Sequence, residues 1–375
     1  MINDKDIKAL FPVLKEVTYL NTASIGLIPK TSLEKAYEWL SQREYGNKHW
    51  LDWYDEFTEA KELFAKLINA KRTEIAGISN TSEGLNLVAN SIKWRPDDVI
   101  VLNDLEFPTN VFIWQVIAKK YGLKLKIVQN KNGRVPLEEY ENLMDRKVKV
   151  VAVSWVQFSN GYVHDLKELA EIVHAHDAYL VVDGIQGVGS LSLDVSKAKP
   201  DFLTCGGQKW LMGFPGTGFL YVRSEVLDDL NISFAGWLGD KQPFRFDYRE
   251  FEPAEGAVRF ELGTPNFIGF SAIKESLKLI LDIGINTIEK HNLELASYLV
   301  EQLGTDYIDS PLSNGKPLSP ILKLKVKNPD KVYKELISRK IWVSLRKGGI
   351  RVSTHIYNRK NHIDLLISTI RKLDK

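Results

Sequence analysis

One stretch constrains this chain more than any other: Tyr179 to Arg223, YLVVDGIQGVGSLSLDVSKAKPDFLTCGGQKWLMGFPGTGFLYVR. It holds three apolar runs of strand length and strand composition. The first stops at Asp183. The second, Asp201 to Thr204, stops before two glycines and Lys209, and the third, Gly218 to Val222, closes the unit. An acid and a lysine thus both fall just past strand ends, where open α/β sheets gather their ligands. Lys209 taken alone is an ordinary surface lysine of a lysine-rich chain. Its flanks argue otherwise. Gly206 and Gly207 admit close backbone approach, and Trp210, Leu211 and Met212 are unlike a solvated surface.

The pair suits pyridoxal phosphate. That cofactor needs a lysine amine for a Schiff base, and a carboxylate that keeps its pyridine nitrogen protonated so that the ring acts as an electron sink. Lys209 and Asp183 supply these groups.

DGIQGVG, followed by GGQKW and GTGFLYV, resembles the class V aminotransferases, which are fold type I pyridoxal-phosphate enzymes. Cysteine desulfurases, isopenicillin-N-epimerase-like proteins and kynureninases are among them. NTSEGLNLVAN at 80–90, EFPTN at 106–110, RFELGTPN at 259–266 and IRVSTHIYN at 350–358 follow in the family's order. The resemblance therefore covers nearly the whole chain. It implies an α/β fold with a mostly parallel seven-stranded sheet. It also implies a large cofactor domain at 15–265 and a smaller α/β domain built from 1–14 and 266–375. VTYLNTASIGLIP, near the N-terminus, should line the substrate side.

The resemblance also assigns roles. Thr81 and Ser82 match paired phosphate-contacting threonines. Phe107 matches the residue that stacks on the cofactor ring. Gln157 and Gln186 match residues near the phenolic oxygen, and Asn160, just beyond Gln157, is a candidate substrate contact. Thr264 matches a residue that reaches the phosphate of the neighbouring subunit, which implies a homodimer with shared sites. Arg351 matches the arginine that holds the substrate α-carboxylate. Gln208 replaces a histidine and Gly206 a phosphate-binding serine of the desulfurase pattern, with Gln208 kept as a cofactor contact.

The residues themselves give plainer readings beside these. Thr81 or Ser82 is a good helix N-cap, and the same helix start attracts an anion. Phe107 is either core or a stacking ring. A phenyl group stacks but cannot carry a proton. Arg351, in an apolar strand, is either an exposed edge residue or a buried one in need of a partner. His174 and His176 lie two apart on a predicted helix and point to roughly opposite sides, so they share no metal. Residues 230–258 lack periodicity and suggest a long active-site loop.

Composition narrows the function classes. The 375 residues carry 50 basic and 48 acidic side chains, a net charge of +2, with no electrostatic case for nucleic acid or a membrane surface. The longest apolar stretch, Val148 to Phe158, is too short to span a bilayer. MINDKDIKAL has acids where a secretory leader is basic. One cysteine excludes an internal disulfide and suits a reducing cytoplasm. GVGSLS lacks the third glycine of a dinucleotide fingerprint.

The expected activity is chemistry at the Cα of an amino acid, with transamination first. Epimerisation and β-elimination share its opening steps. Desulfuration is disfavoured. The resembled desulfurases carry a cysteine on a mobile loop before the carboxylate-binding arginine. Here Leu345 to Ile350 runs almost directly into Arg351, and the only thiol is Cys205.

Overall fold

A computed structural model of the chain describes residues 4–247, 249–346 and 348–373. Seven strands form its main sheet. In chain order they are β1 (Ile75–Ile78), β2 (Val99–Asn103), β3 (Lys124–Val128), β4 (Val148–Ser154), β5 (Tyr179–Asp183), β6 (Phe202–Gly206) and β7 (Gly218–Val222). Their spatial order is β1-β7-β6-β5-β4-β2-β3. β7 runs antiparallel to β1 and β6, and the remaining pairs are parallel. A parallel strand covered on both faces should read as a continuous apolar run. β4, VKVVAVS, does so and is buried at all but one position.

Side chains that alternate along the strands feed two cores. Val99, Val101, Val151 and Val153 face one, with Phe64, Trp210 and Phe270. Ile100, Leu102, Val150 and Ala152 face the other, with Leu85 and Trp114. Helices cover both faces: α1 (Lys30–Tyr45), α2 (Trp50–Leu67), α3 (Thr81–Ser91), α4 (Thr109–Tyr121), α5 (Leu166–His174) and α6 (Phe267–Ile283). α5 shows why. Its Leu166, Leu169, Ala170 and Val173 form one buried stripe, and Asp165 caps it by accepting from the amides of Lys167 and Glu168. α6 packs on α1 and α2.

A third core is separate. It gathers Leu295 and Leu299 of α7 (Ile285–Leu303), Leu322 and Leu324 of β8 (Ile321–Leu324), and Leu336 of α8 (Pro329–Ser338). Val352 of β10 (Gly349–Ser353) and Ile363 and Ile370 of α9 (Lys360–Leu373) complete it. β8, β10 and β9 (Ser344–Arg346) form an antiparallel sheet with β10 in the centre.

The N-terminal segment stitches this unit to the main sheet. Thr18–Tyr19 pairs with Ile341–Trp342, and Asn358 donates to the Tyr19 carbonyl at 2.7 Å. The Ala23 amide donates to Ser353 Oγ at 2.9 Å and the Gly26 amide to the Gln208 carbonyl at 2.9 Å. A Cβ on Gly26 would lie 2.0 Å from the Lys209 carbonyl oxygen, so only glycine lets the chain pass this close to the lysine loop.

The described residues of 230–258 form 3₁₀ turns and irregular chain, with Trp237 packed against Trp50 and Phe244 against Trp50 and Tyr54 of α2. Among the described residues no helix is long and apolar enough to cross a membrane.

Candidate active site

Asp183 ends β5, and Lys209 lies three residues beyond β6, at the same carboxyl edge of the sheet. Both line a cavity of about 330 Å³ that also takes in Thr81, Phe107, Gln208 and Arg351. Burial sets the charge state of the pair. It pushes the Asp183 carboxyl up to about 6, against the opposing pull of the Ile185 amide and of Lys209. It pulls the Lys209 amine down to about 8, opposed by Asp183 and reinforced by the positive Arg351.

One end of the cavity is built for an anion. The cap of α3 is Asn80, whose Oδ1 accepts from the Glu83 amide at 2.9 Å, and not Thr81 or Ser82 as the sequence suggested. The two hydroxyls are therefore placed in the first helical turn, beside its free N–H groups. Thr81 Oγ1 accepts from the Gly206 amide at 3.0 Å, which ties α3 to β6. Ser82 Oγ lies 2.9 Å from Thr109 Oγ1. The two departures from the desulfurase pattern on this side turn out to be one. A Cβ on Gly206 would meet Gln208 Oε1 at 2.6 Å, so the Gln208 amide occupies the space that a serine would need. That oxygen is buried and has no partner among the described residues.

Phe107 is 42% exposed, so it is not core. Its ring stands edge-on to Phe158 at 5.1 Å, and Lys209 Nζ lies 5.8 Å from its centroid. Gln186 lines the cavity with its amide fixed: Nε2 donates to the Ala23 carbonyl at 3.0 Å and Oε1 accepts from Trp210 Nε1 at 2.9 Å.

Three expected site residues are not at the cavity wall. Gln157 is fully buried and donates to Glu106 at 2.9 Å. Asn160 donates to the Gly133 carbonyl at 2.8 Å and accepts from the Tyr162 amide at 3.1 Å, so both ends of its amide staple a loop. Thr264 is exposed and lines a separate cavity of about 200 Å³ with Glu261 and Asn266. None of the described residues of 230–258 lines the Lys209 cavity, so the active-site loop expected there is not part of this wall in the single chain.

Arg351 sits on the central strand β10 at 1% exposure, which excludes the exposed-edge reading. Its Nη1 donates to the Phe158 carbonyl and its Nη2 to Ser24 Oγ, each at 2.7 Å. Burial and the neighbouring Arg346 hold its guanidinium below the usual arginine range.

Two residues escaped the sequence reading. Glu106 is a buried carboxylate with five donors: the Ser154 amide at 2.8 Å and hydroxyl at 2.5 Å, and the amides of Asn103 at 2.6 Å, Asn110 at 2.9 Å and Gln157. This clamp fixes the loop that presents Phe107. Asn103, just before EFPTN, and Asn110, its last residue, were the available clue. The second is Arg346, whose half-buried guanidinium lines the cavity. No local signal marked it, because its approach to Arg351 comes from the pairing of β9 with β10.

The remaining titratable groups of the sequence reading are structural. Cys205 is fully buried in the core, with its thiol pushed well up by burial. His174 Nε2 pairs with Asp201 at 2.9 Å, and His176 Nδ1 lies 3.0 Å from the Ile172 carbonyl.

An anion cradle, a buried acid and a buried amine thus share one cavity, and the unpartnered Gln208 oxygen awaits a donor there. That donor set fits pyridoxal 5′-phosphate, with its phosphate, ring nitrogen and aldehyde. The family description "Aminotransferase class-V" matches residues 18–366. An uncharacterized aminotransferase of Bacillus subtilis (strain 168) is 28% identical over 363 residues, covering 97% of this chain and 96% of that protein. A probable cysteine desulfurase of Pyrococcus abyssi (strain GE5 / Orsay) is 31% identical over 397 residues, covering 99% and 98%. The apo structure of a cysteine desulfurase from Thermococcus onnurineus NA1 superposes with a TM-score of 0.90 at 28% identity, covering 100% and 98%. The chain therefore belongs to the class V aminotransferases, a fold type I family that works with pyridoxal 5′-phosphate.

Proposed function

We propose that this enzyme is an amino-acid aminotransferase acting at Cα. The observation that carries the reading is the hairpin of β9 and β10. Arg346 pairs with Gly349 across it, so two residues join the strands. A desulfurase of the resembled type would carry its cysteine on a mobile loop at this point. The only thiol of the chain, Cys205, is instead sealed in the core, and burial keeps it protonated.

Thr81, Ser82 and the start of α3 are suited to hold the cofactor phosphate, and Phe107 to cover one face of the ring. Bound there, pyridoxal 5′-phosphate supplies an electron sink for the pair left behind when a Cα bond breaks. Asp183, ionised above about pH 6, holds a proton at the ring nitrogen. Lys209, drawn down to about 8, has an appreciable neutral fraction near neutral pH and takes the Cα proton on Nζ. Arg351 grips the α-carboxylate through its planar fork and so sets which Cα bond faces the lysine. With phenylalanine at position 107, no second proton carrier stands over the ring. Epimerisation and β-elimination begin with the same proton removal and are the nearest alternatives.

A desulfurase reading rests on the names of relatives such as the Pyrococcus protein, and the short hairpin opposes it. Amino donors are to be screened against 2-oxo acid acceptors, and the protein is to be assayed for persulfide after L-cysteine. The expected result is a new oxo acid from at least one donor and no protein-bound persulfide. Robust persulfide on the parent, abolished by Cys205→Ala, would overturn the reading.

The same reading makes the molecule a cytoplasmic homodimer, with Thr264 serving the phosphate of the neighbouring subunit. It divides the chain into a large domain at 15–265 and a small one from 1–14 and 266–375. α6, packed on α1 and α2, is the connecting helix.

A further inference from the structure

Two guanidinium groups converge on the cavity where the α-carboxylate needs one. The register of the hairpin brings them together. Ser344 and Arg346 share a face of β9 because alternate residues do. Arg351 lies directly across from Ser344 on β10, on that same face. Ser24 Oγ joins the three: it accepts from Arg351 Nη2 at 2.7 Å and from Arg346 Nη2 at 3.4 Å, and lies 2.7 Å from Ser344 Oγ.

Among the described residues neither arginine has an acidic partner, and Asp183 is the only acid lining the cavity, against Lys209, Arg346 and Arg351. The buried Nε atoms of both arginines have no hydrogen-bond partner. A cation withdrawn from water without a counter-charge is costly. Arg351 has a fixed berth on the Phe158 carbonyl and Ser24. Arg346 has only its neighbour's carbonyl, that of Leu345 at 2.8 Å, and the long contact to Ser24. One substrate carboxylate would satisfy Arg351 and leave Arg346 uncompensated.

We propose that this pocket takes an amino acid with an anionic side chain, a dicarboxylic amino acid or the matching oxo diacid. Arg351 holds the α-carboxylate and Arg346 the distal anion. The proposal rests on the reading of the Lys209 cavity as an amino-acid site and narrows its substrate class. Arg346 is then a specificity residue that touches the substrate side chain.

The test is calorimetric binding of succinate and of butyrate, equal in chain length, to the cofactor-loaded parent and to Arg346→Gln. Succinate should bind the parent at least about tenfold tighter than butyrate, as suits an added charge-assisted hydrogen bond. Arg346→Gln should lose most of that gain, with butyrate binding changed by less than about twofold. Equal weakening of both acids would mean that the two arginines grip one carboxylate, and would overturn the proposal. The parent alone decides if the variant does not fold, because equal affinity for the two acids also overturns it. Failure of the underlying site reading looks different: the protein would then show no visible cofactor band, whereas failure of this proposal leaves the band intact.

Discussion

At the scale of single residues, the site is held in a state that costs stability. Asp183 is buried with its carboxyl pushed up to about 6, above its value of 3.8 in water. A raised folded-state value means that folding favours the protonated acid. The cofactor-free protein is therefore least penalised below about pH 4 and loses stability as pH rises through about 6. Raising the carboxyl this far corresponds to a penalty on the order of 2–3 kcal/mol at pH 8. Asp183→Asn should then raise the thermal midpoint of the cofactor-free protein by a few degrees at pH 8 and leave it nearly unchanged at pH 4. Scanning calorimetry at both pH values measures this. A variant destabilised at pH 8 would contradict the assignment of Asp183 as a strained, function-bearing acid.

At the scale of elements, legibility followed periodicity. β4, β5 and β6 could be read directly because buried parallel strands are unbroken apolar runs, and Asp183 and Lys209 stand out where those runs stop. Capping did not resolve at the start of α3, because Asn80, Thr81 and Ser82 are all good caps and only geometry selects Asn80. Asn160 was ambiguous because a polar residue past a strand end serves a loop as readily as a ligand, and here both ends of its amide bind backbone. Arg346 was invisible because its approach to Arg351 depends on a strand register, and register is a property of pairing rather than of local sequence. The irregular region 230–258 had no period to read, and its Trp237 and Phe244 pack on α2 instead of the cavity.

At the scale of the whole molecule, the proposed homodimer is argued from features exposed on one chain. Thr264 is exposed and lies away from the Lys209 cavity. Phe246 is 79% exposed and stacks on Trp237 at the edge of an aromatic cluster that reaches Trp50. Single-chain proteins rarely leave such patches open. Light scattering should return the mass of a two-fold dimer, and Phe246→Asp should shift it toward the monomer with loss of turnover. A fully active monomer would contradict the shared-site reading. The account as a whole stands on Lys209 as the residue that binds the cofactor covalently. The direct measurement is borohydride reduction of the cofactor-loaded protein followed by peptide mass mapping. The account predicts a single pyridoxyl-phosphate label on the peptide containing Lys209, absent in Lys209→Ala. A label on another lysine, or an active and labelled Lys209→Ala protein, would contradict it.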